Sequence, residues 1–188
     1  MSKRNFISSH EIGGKHLGTI AVVKIMTIKD IELNMIDGAK KTFADFSNGP
    51  VLVVNVASRC GLTPQYEALE ELQKKYASQG FTVLGVPSGQ FFQELSDEKA
   101  ISEYCSTTWG ITFPMTEKSK VNGRSRHALY KELVKAKDST GKAGPVMWNF
   151  EKFLVLPNGE IKRFRPTTKP DDAVIIDAIE EALQPAIS

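Results

Sequence analysis

Cysteine and histidine are scarce in this 188-residue sequence, which contains two of the former and three of the latter. A secreted protein of this length that depended on disulfides would usually carry more cysteines, so any disulfide here is expected to be chemical rather than structural. Two cysteines cannot form a tetrathiolate zinc site, and His10, His16 and His127 lack the paired spacing of metal ligands. We therefore predict neither a metal nor a cofactor.

An excess of charge of either sign is also absent, since 24 lysines and arginines face 22 acidic residues, for a net charge of +2. So balanced a composition does not favour a phosphate-binding surface, and no nucleic-acid partner is expected. No stretch approaches the roughly 20 apolar residues that span a bilayer, so no membrane insertion is expected. Glu11 and Lys15 help to interrupt any apolar stretch of a secretory signal, and a cytoplasmic location is the resulting expectation.

The remaining composition is that of an ordinary globular protein, with 41% hydrophobic and 24% charged residues. The length fits one compact domain. Residues 1–26 show no clear hydrophobic period, and we assign them as an N-terminal extension with a strand expected at 19–25. Residues 27–188 then form the single domain.

The first half of this domain contains the signals of a β-α-β unit. Asp37-Gly38 separates two short segments at 31–36 and 41–46, a pattern that predicts a hairpin. The apolar run at 51–54 predicts a central strand covered on both faces, and 81–86 predicts another. Apolar residues at helical spacing between 66 and 76 predict an intervening helix ended by Gly80, hence a parallel pair with a right-handed crossover.

The second half predicts three more helices and a second hairpin. Ser96, followed by acidic residues, starts a helix expected to run to about Cys105, and a further helix is expected at 127–136. Strands at 150–156 and 161–164 flank a Pro-Asn-Gly turn, and a last helix opens at 171–172. The predicted fold class is α/β, with a central mixed sheet flanked by helices and preceded by an N-terminal hairpin.

Cys60 lies just past the first central strand and just before a helix, where open α/β sheets carry their reactive groups. The thiolate is the nucleophilic form, and unpaired amide hydrogens at a helix N-terminus stabilise it. Cys60 is thus a candidate nucleophile, the alternative being a buried cysteine that acts as a small hydrophobe. The sequence CGLT at 60–63 lacks the second cysteine of a dithiol motif, which disfavours a dithiol exchange enzyme. His127 could serve as the base of a cysteine hydrolase, but we interpret it as a surface helix residue.

Three separated motifs are more specific: NVASRCGLT at 55–63, GVPSGQF at 85–91 and WNFEKF at 148–153. In order and spacing they resemble the signatures of the glutathione peroxidase family, and the resemblance runs from about Thr27 to Ala182. It implies a thioredoxin-like fold, so that 27–188 would be a single thioredoxin-like peroxidase domain.

The resemblance also implies roles for individual residues. The family has a selenocysteine or cysteine at the position of Cys60, which implies that Cys60 attacks a hydroperoxide and becomes a sulfenic acid. Gln90, Trp148 and Asn149 would complete a catalytic tetrad, because amides and an indole N–H can donate hydrogen bonds to a thiolate and to the leaving oxygen. Without the resemblance, Gln90 would be interpreted as a polar loop residue and Trp148 as core packing.

Cys105 lies in YCSTTWG at 104–110, near the end of its predicted helix. It resembles the resolving cysteine of the family's thioredoxin-dependent members, which implies an intramolecular disulfide formed with the Cys60 sulfenic acid. The helix end would have to loosen to bring the two sulfurs within bonding geometry. The alternative is a buried cysteine without a role.

Departures from the family pattern refine these expectations. Many cysteine-containing relatives have Cys-Asn before the glutamine, where this chain has Ser88-Gly89, so a third thiol is excluded. The connection at 135–146 is shorter than the subunit-contact segment of the tetrameric animal enzymes, which favours a monomer. No arginine cluster matches glutathione recognition, and thioredoxin is therefore the expected reductant.

The leading hypothesis is an antioxidant thiol peroxidase that reduces hydrogen peroxide and organic or lipid hydroperoxides, resolved by Cys105 and recycled by thioredoxin. Three alternatives stay open from the sequence. The chain could be a peroxide sensor or redox relay that passes its disulfide to a partner protein, a glutathione-dependent peroxidase with one active cysteine, or an interaction module without chemistry. The four residues of the implied tetrad argue against the last.

Overall fold

The computed structural model describes residues 27–184, so the strand expected at 19–25 lies outside the described residues. Six strands and four α-helices follow one another along this part of the chain. In order they are β1 (Glu32–Asn34), β2 (Lys40–Thr42), β3 (Val51–Val56), α1 (Gln65–Tyr76), β4 (Thr82–Pro87), α2 (Glu98–Trp109), α3 (Ala128–Leu133), β5 (Lys152–Val155), β6 (Ile161–Phe164) and α4 (Ala173–Leu183). Short 3₁₀ helices cover Ile28–Asp30, Phe43–Phe46 and Ala77–Gln79.

The main sheet has four strands in the order β4-β3-β5-β6. Strand β3 pairs parallel with β4 and antiparallel with β5, and β5 pairs antiparallel with β6. All six side chains of β3 are buried, which confirms the prediction of a central strand covered on both faces. The mixed sheet, the parallel pair joined by α1 and the second hairpin are all as predicted.

Two apolar cores lie on opposite faces of this sheet, because successive side chains of a strand point in opposite directions. Leu52 and Val54 of β3 pack in one core with residues of α1, α2 and α4. Val51 and Val53 pack in the other with the β1–β2 segment and α3. The helices therefore cover both faces, as a sheet with a continuous apolar strand at its centre requires.

The first hairpin is shorter than its predicted segments. Strands β1 and β2 pair antiparallel, and Gly38 adopts φ 84° in the turn that Asp37-Gly38 predicts. Beyond β2 the chain leaves the hairpin as a 3₁₀ helix, because the Asp45 carboxylate accepts a hydrogen bond from the Thr42 amide at 2.6 Å. This side chain–backbone bond competes with continued strand pairing.

Two helix boundaries differ from the prediction. Helix α2 continues one turn past Cys105 to Trp109, where Gly110 takes up a left-handed conformation with φ 63° and ends it. Helix α3 is shorter than expected and begins after His127, whose ring Nδ1 accepts a hydrogen bond from the Leu129 amide at 3.2 Å. His127 is therefore a half-buried helix cap rather than a residue on a helix surface.

A close contact between two backbone segments sets the start of the parallel pair. Gly80, at φ 94°, follows α1 and lies directly against Gly49, which precedes β3. A Cβ atom on Gly49 would lie 2.7 Å from the Gly80 carbonyl oxygen, closer than atoms pack. The two strands can begin side by side only because position 49 carries no side chain.

Replacing Gly49 by alanine should therefore lower the free energy of unfolding by about 1–3 kcal/mol, the usual cost of overpacking a rigid contact. Urea denaturation measures this change. Gly61→Ala is the matched control, because a Cβ at Gly61 would meet nothing within 4 Å. An unfolding midpoint for Gly49→Ala equal to that of the wild type would contradict the steric argument.

Candidate active site

Three loops carrying the predicted site residues meet at one edge of the main sheet. Cys60 follows the carboxyl end of β3, and Gln90 follows the carboxyl end of β4. Trp148 and Asn149 directly precede β5, which runs antiparallel to β3 and so begins at that same edge. The topology therefore explains why residues far apart in sequence belong to one region.

Cys60 occupies a turn between β3 and α1, and its residue is 7% exposed. The amide of Leu62 donates a hydrogen bond to Cys60 Sγ at 3.3 Å. The turn is held by Thr63, whose hydroxyl accepts from the Cys60 amide and donates to the Ala57 carbonyl, both at 2.9 Å. Because α1 begins only at Gln65, the amide that reaches the sulfur belongs to the turn rather than to the helix.

The side-chain amide of Gln90 has one fixed orientation. Its oxygen accepts hydrogen bonds from the amides of Val121 and Asn122, both at 2.7 Å. Its nitrogen donates one hydrogen bond, to the Asn122 carbonyl at 3.1 Å. A primary amide has two N–H groups, and in residues 27–184 the structure records no acceptor for the second. Gln90 thus retains one donor for a ligand.

Trp148 and Asn149 differ sharply in exposure. The Trp148 side chain is 43% exposed, with its ring centroid 5.2 Å from that of Phe91. Asn149 is fully buried, and its nitrogen donates to Gln93 Oε1 at 2.9 Å. Its oxygen is buried without a hydrogen-bond partner among the described residues. Trp148 is therefore not a core residue, and Asn149 has both a donor and an acceptor available.

Two residues for which the sequence predicted no role hold this segment. Asn55, fully buried in β3, donates to the Trp148 carbonyl at 3.0 Å and accepts from the Glu151 amide at 3.1 Å. A carboxylate oxygen of Glu151 accepts from the Met147 amide at 2.7 Å. Between these contacts Phe150 adopts φ 63°, which is uncommon for a residue with a side chain. The sequence carried one signal for the role of Asn55, namely a single polar residue within the apolar run of β3.

Glu151 is in turn held by two arginines. Its side chain and that of Arg163 are completely buried and lie 2.6 Å apart. Arg163 also donates to the carbonyls of Gly144 and Pro145, both at 2.9 Å, and Arg165 reaches Glu151 at 2.7 Å. The buried charges are thus paired and hydrogen-bonded, which ties the loop before Trp148 to β6.

Cys105 lies in an environment different from that of Cys60. It is 2% exposed within α2 and lines a cavity of about 270 Å³ between α2 and the β1–β2 hairpin. Burial raises the pKa of its thiol to about 11, the nearby negative charge of Glu94 adds to the rise, and the Tyr66 hydroxyl opposes it. No disulfide joins the two cysteines, and both belong to the same apolar core. Cys105 is therefore held as a neutral thiol.

Among residues 27–184, no three His, Cys, Asp or Glu side chains come together as a candidate metal site. No helix in this part of the chain is long and apolar enough to cross a membrane. The candidate reactive group at this sheet edge is the Cys60 sulfur, which accepts a hydrogen bond from the Leu62 amide. A cysteine just past the carboxyl end of a central strand is typical of the class of thiol-dependent oxidoreductases.

Comparison with known proteins narrows this class. A family model described as glutathione peroxidase matches residues 28–134. The chain is 44% identical over 169 residues to the thioredoxin/glutathione peroxidase BtuE of Escherichia coli, a match that covers 79% of this chain and 92% of that protein. It is 41% identical over 153 residues to the hydroperoxy fatty acid reductase gpx1 of Synechocystis sp., covering 78% and 90% of the two chains.

Solved structures also resemble this chain. The crystal structure of Trgpx in apo form superposes with a TM-score of 0.67 at 34% identity, covering 85% of this chain and 97% of that one. A thioredoxin family protein from Chlorobium tepidum superposes with a TM-score of 0.56 at 18% identity, covering 86% and 100%, and shows the thioredoxin-like fold alone. The chain belongs to the glutathione peroxidase family, and it is a peroxidase with the thioredoxin-like fold that the sequence motifs implied.

The environment of Cys105 predicts that its thiol is unreactive while the protein is folded and reduced. A pKa of about 11 leaves about one thiol in ten thousand ionised at pH 7, and only the thiolate is alkylated rapidly. In a Cys60→Ser variant, iodoacetamide at pH 7 should leave Cys105 unmodified in a time that suffices for complete modification in urea. Mass spectrometry measures the extent of alkylation in the folded protein and in urea. Equal alkylation rates with and without urea would contradict the buried, neutral state of the Cys105 thiol.

Proposed function

We propose that this peroxidase reduces hydrogen peroxide and organic or lipid hydroperoxides through Cys60, and that thioredoxin restores the reduced enzyme. The observation that carries the proposal is the meeting of the Cys60, Gln90 and Trp148-Asn149 loops at one sheet edge, with hydrogen-bond donors still available there. In the first step the Cys60 thiolate attacks one peroxide oxygen. The S–O bond forms as the O–O bond breaks, and the departing alkoxide or hydroxide takes up a proton.

The three polar partners act by hydrogen bonding rather than by titrating. The second N–H of Gln90, the indole N–H of Trp148 and the amide of Asn149 stabilise the thiolate and the charge that develops on the leaving oxygen. The hydrogen bonds of Gln90 support this role, because its oxygen is occupied by two backbone amides and only an N–H is left to donate to a ligand. The unpartnered oxygen of Asn149 supports contact with a water or a substrate hydroxyl.

Cys105 acts second. Its thiol attacks the Cys60 sulfenic acid, a disulfide forms, and a water molecule leaves. The two thiols of thioredoxin then reduce the disulfide and become oxidised themselves. One fact supports the pairing: both cysteines belong to the same apolar core. Because Cys105 lies within α2 rather than at its end, the last helical turn must unwind to release it.

Thioredoxin is the proposed reductant because a second thiol is present to make the disulfide that thioredoxin reduces. The name of the Escherichia coli relative contains both thioredoxin and glutathione, and so supports a reductant of either kind. The short connection before Trp148 is bound to its own chain through Arg163, which supports the proposed monomer. We also propose a cytoplasmic location. The presence of only two cysteines supports it, because secreted proteins that depend on disulfides usually contain more.

Exposed apolar side chains beside the site support organic hydroperoxides as substrates. Phe92 is 96% exposed and Met147 is 65% exposed, and each is a neighbour in sequence of one member of the Phe91–Trp148 pair, whose rings contact each other at a tilt of 45°. Phe92 also adopts φ 59°, a conformation that favours glycine. An apolar ring kept in contact with water in this conformation provides a surface for the carbon chain of a hydroperoxide.

Variants of the two cysteines should separate the two chemical steps. Cys60→Ser should abolish peroxide consumption, since no nucleophile remains. Cys105→Ser should still be oxidised once, but it should stop at a sulfenic acid that dimedone traps, whereas the wild type should form a disulfide that dimedone does not modify. Intact-mass spectrometry distinguishes the two products. Undiminished turnover of Cys105→Ser with thioredoxin would refute the resolving role.

Replacing Phe92 by glycine should slow the oxidation of Cys60 by a fatty-acid hydroperoxide by about threefold to tenfold, the effect of about 1 kcal/mol of lost apolar contact. The rate with hydrogen peroxide should stay within about twofold, because that substrate has no apolar part. Phe92→Leu is the matched control and should keep most of the rate with the lipid substrate. An equal loss of rate with both peroxides would contradict the proposal that Phe92 contacts the carbon chain of the substrate.

A further inference from the structure

Asn122 contacts the loop of Gln90 through its backbone. Its amide donates to Gln90 Oε1 at 2.7 Å, and its carbonyl accepts from Gln90 Nε2 at 3.1 Å. A segment that binds both ends of a primary amide prevents the amide from rotating. The neighbouring Val121 is fully buried in the second core and anchors this segment to the body of the protein.

The side chain of Asn122 makes an equivalent pair of contacts with a different loop. Its oxygen accepts from the Val146 amide at 2.9 Å, and its nitrogen donates to the Val146 carbonyl at 2.8 Å. Val146 is buried, and it lies two positions before Trp148. One residue thus binds the two loops that carry Gln90 and Trp148, through four hydrogen bonds.

We propose that Asn122 is a positioning residue that sets the distance and orientation between Gln90 and Trp148 during peroxide reduction. This inference rests on the peroxidase function proposed above. Asn122 contacts neither the Cys60 sulfur nor the proposed peroxide position in its recorded hydrogen bonds, so its effect passes through the two loops. Asparagine suits the task because its amide has one acceptor and one donor side, which match the N–H and C=O of a single backbone residue.

Loss of this side chain should leave Val146 with two unpaired backbone groups and the Gln90 segment without its attachment to the opposite loop. Both loops would then sample more conformations, and fewer of these would place the Gln90 N–H and the Trp148 indole together at the peroxide. A displacement of about 1 Å in such an arrangement can lower a rate by about a hundredfold.

The test is the single-turnover rate constant for oxidation of Cys60 by hydrogen peroxide, measured by rapid quenching and alkylation of the full chain. Asn122→Ala should lower it by about tenfold to a hundredfold. Asn122→Asp keeps the acceptor for the Val146 amide but opposes the Val146 carbonyl with an oxygen, so its rate constant should fall between those of the wild type and the alanine variant.

A double-mutant comparison separates positioning from a general loss of structure. In a Gln90→Ala background the amide to be positioned is gone, so the further effect of Asn122→Ala should be at least about threefold smaller than in the wild type. Val134→Ala removes buried side-chain atoms from the same core without touching either loop's hydrogen bonds to Asn122. Its rate constant should stay within about twofold of the wild type.

Three results would overturn the inference: an Asn122→Ala rate constant within threefold of the wild type, an equal loss in the Gln90→Ala background, or an equal loss in Val134→Ala. The proposed function is tested separately by the wild type. If the wild type does not oxidise Cys60 with peroxide, the function fails; if it does and any of the three results is found, only the role of Asn122 fails.

Discussion

The site depends on how the chain enters β5 beside the end of β3. Asn55 is buried at this point and binds the backbone on both sides of Phe150, through Trp148 and Glu151. Without these bonds the left-handed conformation of Phe150 and the buried backbone groups around it would be uncompensated. Because Trp148 and Asn149 stand on this short irregular segment, their positions depend on this buried amide of the central strand, together with the Glu151 carboxylate that binds the Met147 amide.

The two cysteines lie in different local environments, and this difference bears on the roles proposed for them. Cys60 is in a turn with an amide directed at its sulfur, at the edge where donors from two other loops are available. Cys105 is inside a helix and an apolar core, where burial raises its thiol pKa to about 11. In the proposed cycle, the helix keeps the second thiol neutral and out of contact with peroxide until α2 opens. The proposed order of the two steps thus follows from the position of Cys105 inside α2.

The strands and turns of this fold could be predicted from local sequence, because period, apolar runs and Asp-Gly or Asn-Gly turns are local signals. Two helix boundaries differ from the prediction although their signals are also local: Gly110 ends α2 as Gly80 was expected to end the first helix, and the His127 side chain caps the start of α3. The motifs predicted the region of the candidate site, but they did not predict the contacts that hold its loops in place. The bonds of Gln90 to Asn122 and of Glu151 to Arg163 join residues whose proximity exists only after the sheet has formed.

In the proposed function, Cys60 and Cys105 form one catalytic cycle that thioredoxin returns to the reduced state. It is tested most directly by NADPH consumption in the presence of hydrogen peroxide, with either thioredoxin and thioredoxin reductase or glutathione and glutathione reductase. We expect rapid turnover with thioredoxin and little with glutathione. Turnover with glutathione alone would contradict it, because Cys105 would then have no part in the cycle.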